Sequence, residues 1–443
     1  MVAVRPAPVP LLPIERRERR VLLGVVALGL ALRLAAAFHG TGQPLTGDQL
    51  SYDQVAWNLA SGHGYAVGDA ASGYHATATR GPSYVLLVAL LFTLFGHGPW
   101  ALFLVQALLD AASVLLVFRI GRLVFGRADA ALAGAALYAI YPPFVLETGL
   151  MLSETLVNAL VLAAIAAWLE AEHHGEARGR GLAATVLSGL AVGLAALSKP
   201  ILAPLAGLFF LAGWSPARPL RGFGRLGLQV CVVSLVLAPW IARNAGTFHA
   251  FVPGVSLGGV TFWGGTGPAG GHVIGGLDDP KTPPGTLAAV RGMDEIARDR
   301  WFYAEGRRVI AAHPGRYAVL LLKKIPRLWL NLGHDAPPSR ASLLLAAFNL
   351  LAIGVAVRAA RTLNPDPAAG RLLLLLALYF TAIHLAFFAV VRYAFPVYAY
   401  LFAFTGAGAL GILRRGRRSP RPRNALPAEG QAVTHSRPDR PGG

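Results

Sequence analysis

Long apolar runs, each closed by basic or turn-forming residues, recur along nearly the whole chain. A helix that crosses ~30 Å of hydrocarbon takes about 20 mostly apolar residues. On that scale the pattern predicts ten spans, at about 21–38, 100–118, 130–146, 154–169, 182–198, 200–214, 226–242, 342–358, 372–391 and 394–413. One further run, 82–95 ("PSYVLLVALLFTLF"), has about 14 residues. That is short for a span and suits an interfacial or re-entrant helix. The first run, "LLGVVALGLALRLAAAF", has a basic flank like a secretory signal. It is longer than the usual ~7–15-residue apolar region and carries Arg33 inside, so it is expected to persist as the first span.

Charge tests this count. With the N-terminus inside, the cytoplasmic segments hold "RRERR", "RIGRLVFGR", "EARGRG", "ARPLRGFGR", "RAARTLNPDPAAGR" and "RRGRRSPRPR". All are rich in arginine, as orientation in a membrane requires. Counting 82–95 as a full span would place "RIGRLVFGR" outside. The expected organisation is a basic cytoplasmic N-terminus (1–20), a membrane module (21–242) with an outer loop at 39–99, a large outer loop (243–341), C-terminal spans (342–413) and a basic, Pro-rich, disordered tail (414–443). Within the large loop a Gly-rich part precedes a helix-like stretch, "MDEIARDRWFYAEGRRVIAAH". Then "YAVLLLKKIPRLWLNL" sets Lys323, Lys324 and Arg327 among apolar residues and reads as a second interfacial helix.

Composition agrees. Of 443 residues 55% are hydrophobic and 14% charged, where a soluble domain carries about 25% charged residues. The net charge of +18 is explained by the arginines that flank the spans, and no basic, aromatic-interleaved module for nucleic acid accompanies it. The single cysteine, Cys231, lies in an apolar run, which excludes a disulfide frame or thiol motif.

Two kinds of charge then stand out. Acids cluster in the first two outer loops: Asp48 and Asp53 in the first, Glu147 and Glu154 around the second. A carboxylate beside a low-dielectric boundary suits general-base work or a metal, although Glu154 after Ser153 also fits a plain helix start. Arg80, Lys199, Arg243 and Arg392 fall at outer boundaries, where few bases are expected. Helix-end charge explains some of these, and an anion such as a lipid phosphate explains all four. Tyr52, Trp57, Tyr65 and Tyr74, with Phe262 and Trp263, are placed to stack on sugar faces or to form an ordinary aromatic belt.

The ordered set "GDQLSYDQVAWNLASGHGY", "TRGPSYVLLVALLFTLFG", "RIGRLVFG", "YPPFVLETGLMLSETL", "GLAALSKP", "PWIARN" and "RYAFP" resembles the GT-C membrane glycosyltransferases. The nearest branch is the bacterial protein-mannosyltransferase-like and lipid A aminoarabinose-transferase-like enzymes, over roughly residues 20–413. The resemblance implies an all-α polytopic fold of about ten spans, with juxtamembrane helices in both outer loops and 21–242 as the family's membrane module. It implies sugar transfer, with inversion, from a polyprenyl-phosphate donor to a lipid, glycan or protein acceptor outside the bacterial inner membrane. Asp48 would be the general base and Glu154 the second-loop acid. Arg80 and Lys199, and by position Arg243 and Arg392, would bind the donor phosphate. Tyr52, Asp53, Tyr65 and Trp263 would contact the sugar or acceptor. The family often has Asp-Glu where this chain has Asp48-Gln49, and Lys-Pro-Pro where it has Arg80-Gly81-Pro82. Asp48 and Glu154 could also hold a divalent ion, but the chain shows no strong ligand cluster. The competing readings are a transporter or flippase of lipid-linked sugars, which calls for inverted repeats and broken helices near the midplane, and a non-catalytic scaffold.

Overall fold

The computed structural model describes residues 13–173, 178–267, 282–332 and 337–416. The first residues of the expected basic N-terminus (1–12), most of the tail (417–443) and the end of the Gly-rich part (268–281) lie outside the described residues. The chain runs through α1 (Arg16–Thr41), α2 (Asp48–Ala60), a hairpin of β1 (Ala66–Asp69) and β2 (Gly73–Ala76), α3 (Pro82–Phe95), α4 (Trp100–Phe125), α5 (Ala128–Ile140) and α6 (Pro142–Glu147). It continues through α7 (Glu154–His173), α8 (Arg178–Ser198), α9 (Leu205–Gly213) and α10 (Pro219–Phe248). Among its described residues the large loop holds four helices: α11 (Gly258–Gly265), α12 (Pro284–Val290), α13 (Glu295–Ala312) and α14 (Pro314–Leu330). Then come α15 (Arg340–Thr362), α16 (Pro367–Ala386) and α17 (Phe395–Gly416).

Among the described residues eight of these helices are long and apolar enough to cross a membrane, and the protein is an integral multi-pass membrane protein. Two expected spans are assembled from shorter pieces, for a reason hydropathy does not register. The run 130–146 breaks at Tyr141, whose backbone is extended (φ −69°, ψ 114°) ahead of Pro142, because a residue before proline is pushed out of the helical region. The run 200–214 starts as a 3-10 turn, Pro200–Leu202, and resumes as α9 after Pro204. At 14 residues and ~1.5 Å per residue, α3 is shorter than a bilayer core is thick, as the sequence predicts.

The bundle packs α4 against α1, α5 and α7, then α7 against α8 and α8 against α10, while α17 lies between α5 and α15. Ionisable groups inside it are paired, as hydrocarbon demands. Arg33 is fully buried; its Nε lies 2.6 Å from Asp110 and its Nη1 donates to the Ala139 carbonyl at 2.8 Å. Asp110 also accepts from the Tyr138 hydroxyl. These contacts tie α1, α4 and α5 together and mark α1 as part of the bundle.

A second apolar cluster, with Tyr52, Val55, Tyr84, Val88, Phe92 and Phe103, joins α2 and α3 to the start of α4. The hairpin is an addition to the expected all-helical pattern. Its strands pair antiparallel from Ala66↔Ala76 to Asp69↔Gly73, and Asp69 Oδ1 closes the turn by accepting from the Ser72 N–H at 2.8 Å.

Behind the hairpin, a strap at Thr77–Gly81 leads to α3, and every backbone polar group of Thr77 and Ala78 is paired. The Thr77 N–H donates to Tyr65 O (3.1 Å), and Thr77 O accepts from Arg243 (2.8 Å). The Ala78 N–H donates to Glu295 (2.7 Å), and Ala78 O accepts from the Ser256 N–H (3.0 Å). The strap thereby locks the first loop to α10 and to the start of α13.

Candidate active site

Five charged side chains meet where α2, α7 and α8 come together with the turn after α16. Asp48 opens α2 and Glu154 opens α7. Each carboxylate therefore sits by unpaired N–H groups at the positive end of a helix dipole. Lys199 follows the last residue of α8, and Arg80 is the next-to-last residue of the strap. Arg392 arrives differently. Helix α16 stops at Ala386, short of the expected 391. Phe387 turns extended (φ −106°, ψ −149°), and a 3-10 turn at Val391–Ala394 carries the arginine back over the bundle end.

The distances define a chain of ion pairs. Asp48 Oδ1 accepts from Arg80 at 2.9 Å and Oδ2 from Arg392 at 2.8 Å. Glu154 Oε1 accepts from Lys199 at 2.9 Å and lies 3.4 Å from Arg392 Nε. In order this reads Arg80, Asp48, Arg392, Glu154, Lys199: three cations against two carboxylates, one net positive charge. Burial opposes ionisation of Asp48, but Arg80 and then Arg392 overcome it and hold its carboxyl below the ordinary 3.8. Burial likewise pulls on the Lys199 amine, and the Glu154 carboxylate more than compensates, so that it stays protonated. Glu147, at the end of α6, is buried and outside the cavity; burial first and Glu154 second raise its carboxyl above the usual range.

These groups form one wall of a cavity of about 490 Å³. Ile201, Ile383, Phe387 and Phe388 give it an apolar side, and residues of α11 and α13 line it as well. Of the residues singled out from the sequence, Asp48, Tyr52, Arg80, Glu154, Lys199 and Arg392 line this cavity. The others do not. Arg243 is engaged by the Thr77 and Tyr65 carbonyls and stands over the Tyr65, Trp240 and Phe248 rings. Asp53 pairs with His97 at 2.9 Å. Tyr65 supports the site from behind, its hydroxyl donating to Arg80 O at 2.7 Å. Trp263 is 1% exposed and packs against Phe302 on the far side of α11.

Sequence reasoning missed three supporting groups that adjoin named ones. Ser51 Oγ accepts from Arg80 Nε at 2.9 Å, and Ser153 Oγ accepts from the Tyr52 hydroxyl at 3.2 Å. Tyr393 presents its ring to Lys199 at 4.9 Å and to Arg392 at 5.4 Å, geometry suited to cation–π attraction. More remote is Lys324 of α14, fully buried, whose Nζ donates to the Leu385 carbonyl at 2.5 Å. It fastens the end of α16 from which the Arg392 segment departs.

Gly81 sets the spacing between Arg80 and Lys199. A Cβ there would meet Leu197 O at 2.2 Å and Ser198 O at 2.4 Å. Gly81→Ala must therefore push the strap off the end of α8. The expected result is a loss of about 1–3 kcal/mol of stability together with reduced activity, read by thermal unfolding in detergent and by turnover.

The chain matches the family model described as dolichyl-phosphate-mannose-protein mannosyltransferase over residues 79–242. Among solved structures it is similar to the oligosaccharyltransferase of Archaeoglobus fulgidus. The apo form is matched at 16% identity and TM-score 0.59, over 90% of this chain and 51% of that one. That enzyme (AglB) in complex with an inhibitory peptide and a dolichol-phosphate is matched at 17% identity and TM-score 0.55, over 94% and 53%. The family match is confined to residues 79–242, and the likeness to the archaeal enzyme is one of fold. ArnT from Cupriavidus metallidurans gives 17% identity and TM-score 0.42 over 89% of this chain and 79% of that one. The chain spans about half the length of the archaeal enzyme, and no curated protein matches it.

A divalent ion does not fit this site. Both Asp48 oxygens and Glu154 Oε1 are taken by cations. Three positive side chains at this range repel a metal, and no group of three His, Cys, Asp or Glu capable of holding one occurs among the described residues.

Proposed function

We propose that this protein transfers a sugar from a polyprenyl-phosphate carrier to a hydroxyl acceptor at the extracytoplasmic face of the membrane, with inversion. The observation that carries this reading is the ion-pair chain along one cavity wall, with its single surplus positive charge and an apolar flank beside it. A phosphodiester brings one negative charge, and its isoprenoid tail needs an apolar exit. Arginine grips such a phosphate bidentately.

In the reaction Asp48 takes the proton of the acceptor hydroxyl as its oxygen forms the bond to the anomeric carbon. The bond from that carbon to the phosphate oxygen breaks, and the phosphate leaves with the electron pair as polyprenyl phosphate. Arg80, Arg392 and Lys199 balance the charge that grows on the leaving oxygen. Glu154 holds Lys199 and Arg392 in place through Oε1, and the direct attack of the acceptor oxygen is a single displacement, hence inversion. The donor phosphate also competes with Asp48 for Arg80 and Arg392. Its arrival weakens their hold on the carboxylate and raises its affinity for the acceptor proton.

The orientation rests on the arginine-rich segments at the other end of the bundle. The Arg243 cluster and Tyr65 serve to hold the strap. The test is direct: purified protein incubated with undecaprenyl-phosphate-linked hexoses and pentoses and a panel of acceptors should release undecaprenyl phosphate with at least one pair. Absence of release with every pair, by a preparation that binds undecaprenyl phosphate, counts against transfer.

A further inference from the structure

The part of the cavity lined by α13 has a chemistry of its own. Ile296, Asp299, Arg300 and Tyr303 of α13 all line the cavity. Their spacing of three, four and seven residues places them on one helical face. A face turned toward the protein is ordinarily apolar; here it offers a carboxylate, a guanidinium and a phenol. Glu295, at the head of the same helix, is pinned to Thr77 and Ala78 at 2.8 and 2.7 Å. The face is therefore held in fixed register with Arg80, three residues along the strap.

Asp299 is half-buried, and its Oδ1 accepts from the Gly259 N–H at 2.6 Å. No partner for Oδ2 is found among the described residues, and burial holds the carboxyl above its ordinary range. The Tyr303 ring packs on Phe262 with centroids 5.6 Å apart. A Cβ at Gly258, also on the cavity wall, would lie 2.2 Å from the Tyr303 hydroxyl, so only glycine leaves that hydroxyl where it is. It too has no hydrogen-bond partner among the described residues. A free carboxylate oxygen, a free phenol and an adjoining aliphatic side chain match a ring with hydroxyls on its edge and C–H groups on its face.

We infer that Asp299 and Tyr303 form a subsite for the hydroxyl groups of a pyranose or furanose ring, in the same cavity as the phosphate-binding charges. The inference deepens the transferase reading and rests on it. The ring belongs either to the sugar on the carrier or to a sugar of the acceptor, and the chemistry is shared. A hydrogen bond to a charged group is worth ~1.5–3 kcal/mol, so its removal changes affinity by about tenfold or more.

The test uses the full chain in lipid nanodiscs with undecaprenyl phosphate and its hexose- and pentose-linked forms as probes. If the ring is the donor's, the attached sugar tightens binding over the bare carrier. Asp299→Asn and Tyr303→Phe then cut that gain about tenfold while bare-carrier affinity stays as in the wild type, which also certifies the fold. If the ring is the acceptor's, the gain survives and the acceptor KM rises about tenfold instead. Either result supports the subsite. Wild-type values for both quantities in both variants would overturn it and leave the transferase reading standing. Failure of the wild type to bind bare undecaprenyl phosphate would overturn that reading, and this one with it.

Discussion

Asp48→Asn is expected to lower sugar transfer by about 10²–10⁴-fold, the range a positioned general base contributes, while insertion and folding survive. The amide fills the same space and its one oxygen still accepts from one of the two arginines, which now stand 2.9 and 2.8 Å from the carboxylate, but its NH2 group cannot accept from the other and it takes no proton from a hydroxyl. It also removes a negative charge that competes with the donor phosphate for both arginines. The donor KM should therefore hold steady or fall while kcat collapses. That split separates a lost base from a damaged site, which would weaken both parameters. Near-normal kcat in this variant would remove Asp48 from the role. The pH profile adds a check. The arginines depress the carboxyl below 3.8, so its ionisation gives no acid limb near neutrality. Arg80→Gln takes away the strongest of the opposing charges. Asp48 then titrates higher, and an acid limb should move up in pH.

Arg392→Gln is expected to cost about 10²–10³-fold in turnover, as loss of one charge-stabilising donor does, with a higher donor KM. This side chain is the middle link between Asp48 and Glu154. Without it the site passes from one surplus positive charge to none, and Glu154 keeps its ion pair with Lys199 at 2.9 Å. Arg392→Lys keeps the charge but gives up the planar fork, so an intermediate loss is expected. Steady-state kinetics on undecaprenyl-phosphate sugars resolves the three proteins. A kcat and donor KM within twofold of wild type for the glutamine variant would show that the phosphate is held elsewhere.

Particular elements show what could be read in advance. Helix α3 was legible because 14 apolar residues are too few to span. Asp48, Arg80, Glu154, Lys199 and Arg392 were legible because each breaks a local rule: acids near lipid, or bases where few are expected. Arg243 broke the same rule for another reason. Its guanidinium satisfies the carbonyls of a strap 166 residues earlier in the chain, and no local pattern discloses such a partner. Trp263 read as an exposed sugar platform, yet the Gly-rich stretch around it folds as α11 and turns the indole inward against α13. The polar face of α13 passed unnoticed, since a helix in a loop with one charged side reads as an ordinary solvated helix.

By itself the sequence determined the membrane class, the order of the helices, and a set of charges concentrated at the ends of apolar runs. Those features follow from local transfer energies: apolar runs of span length partition into lipid, and charges gather where the runs end. Tertiary structure decided which charges meet. Asp48 and Arg392 are 344 residues apart, and their contact depends on α16 unwinding after Ala386, on Lys324 holding its last turn, and on Gly81 allowing the strap to press against α8. Each is a matter of packing between distant segments, where van der Waals contact and hydrogen-bond satisfaction, rather than local preference, select the conformation.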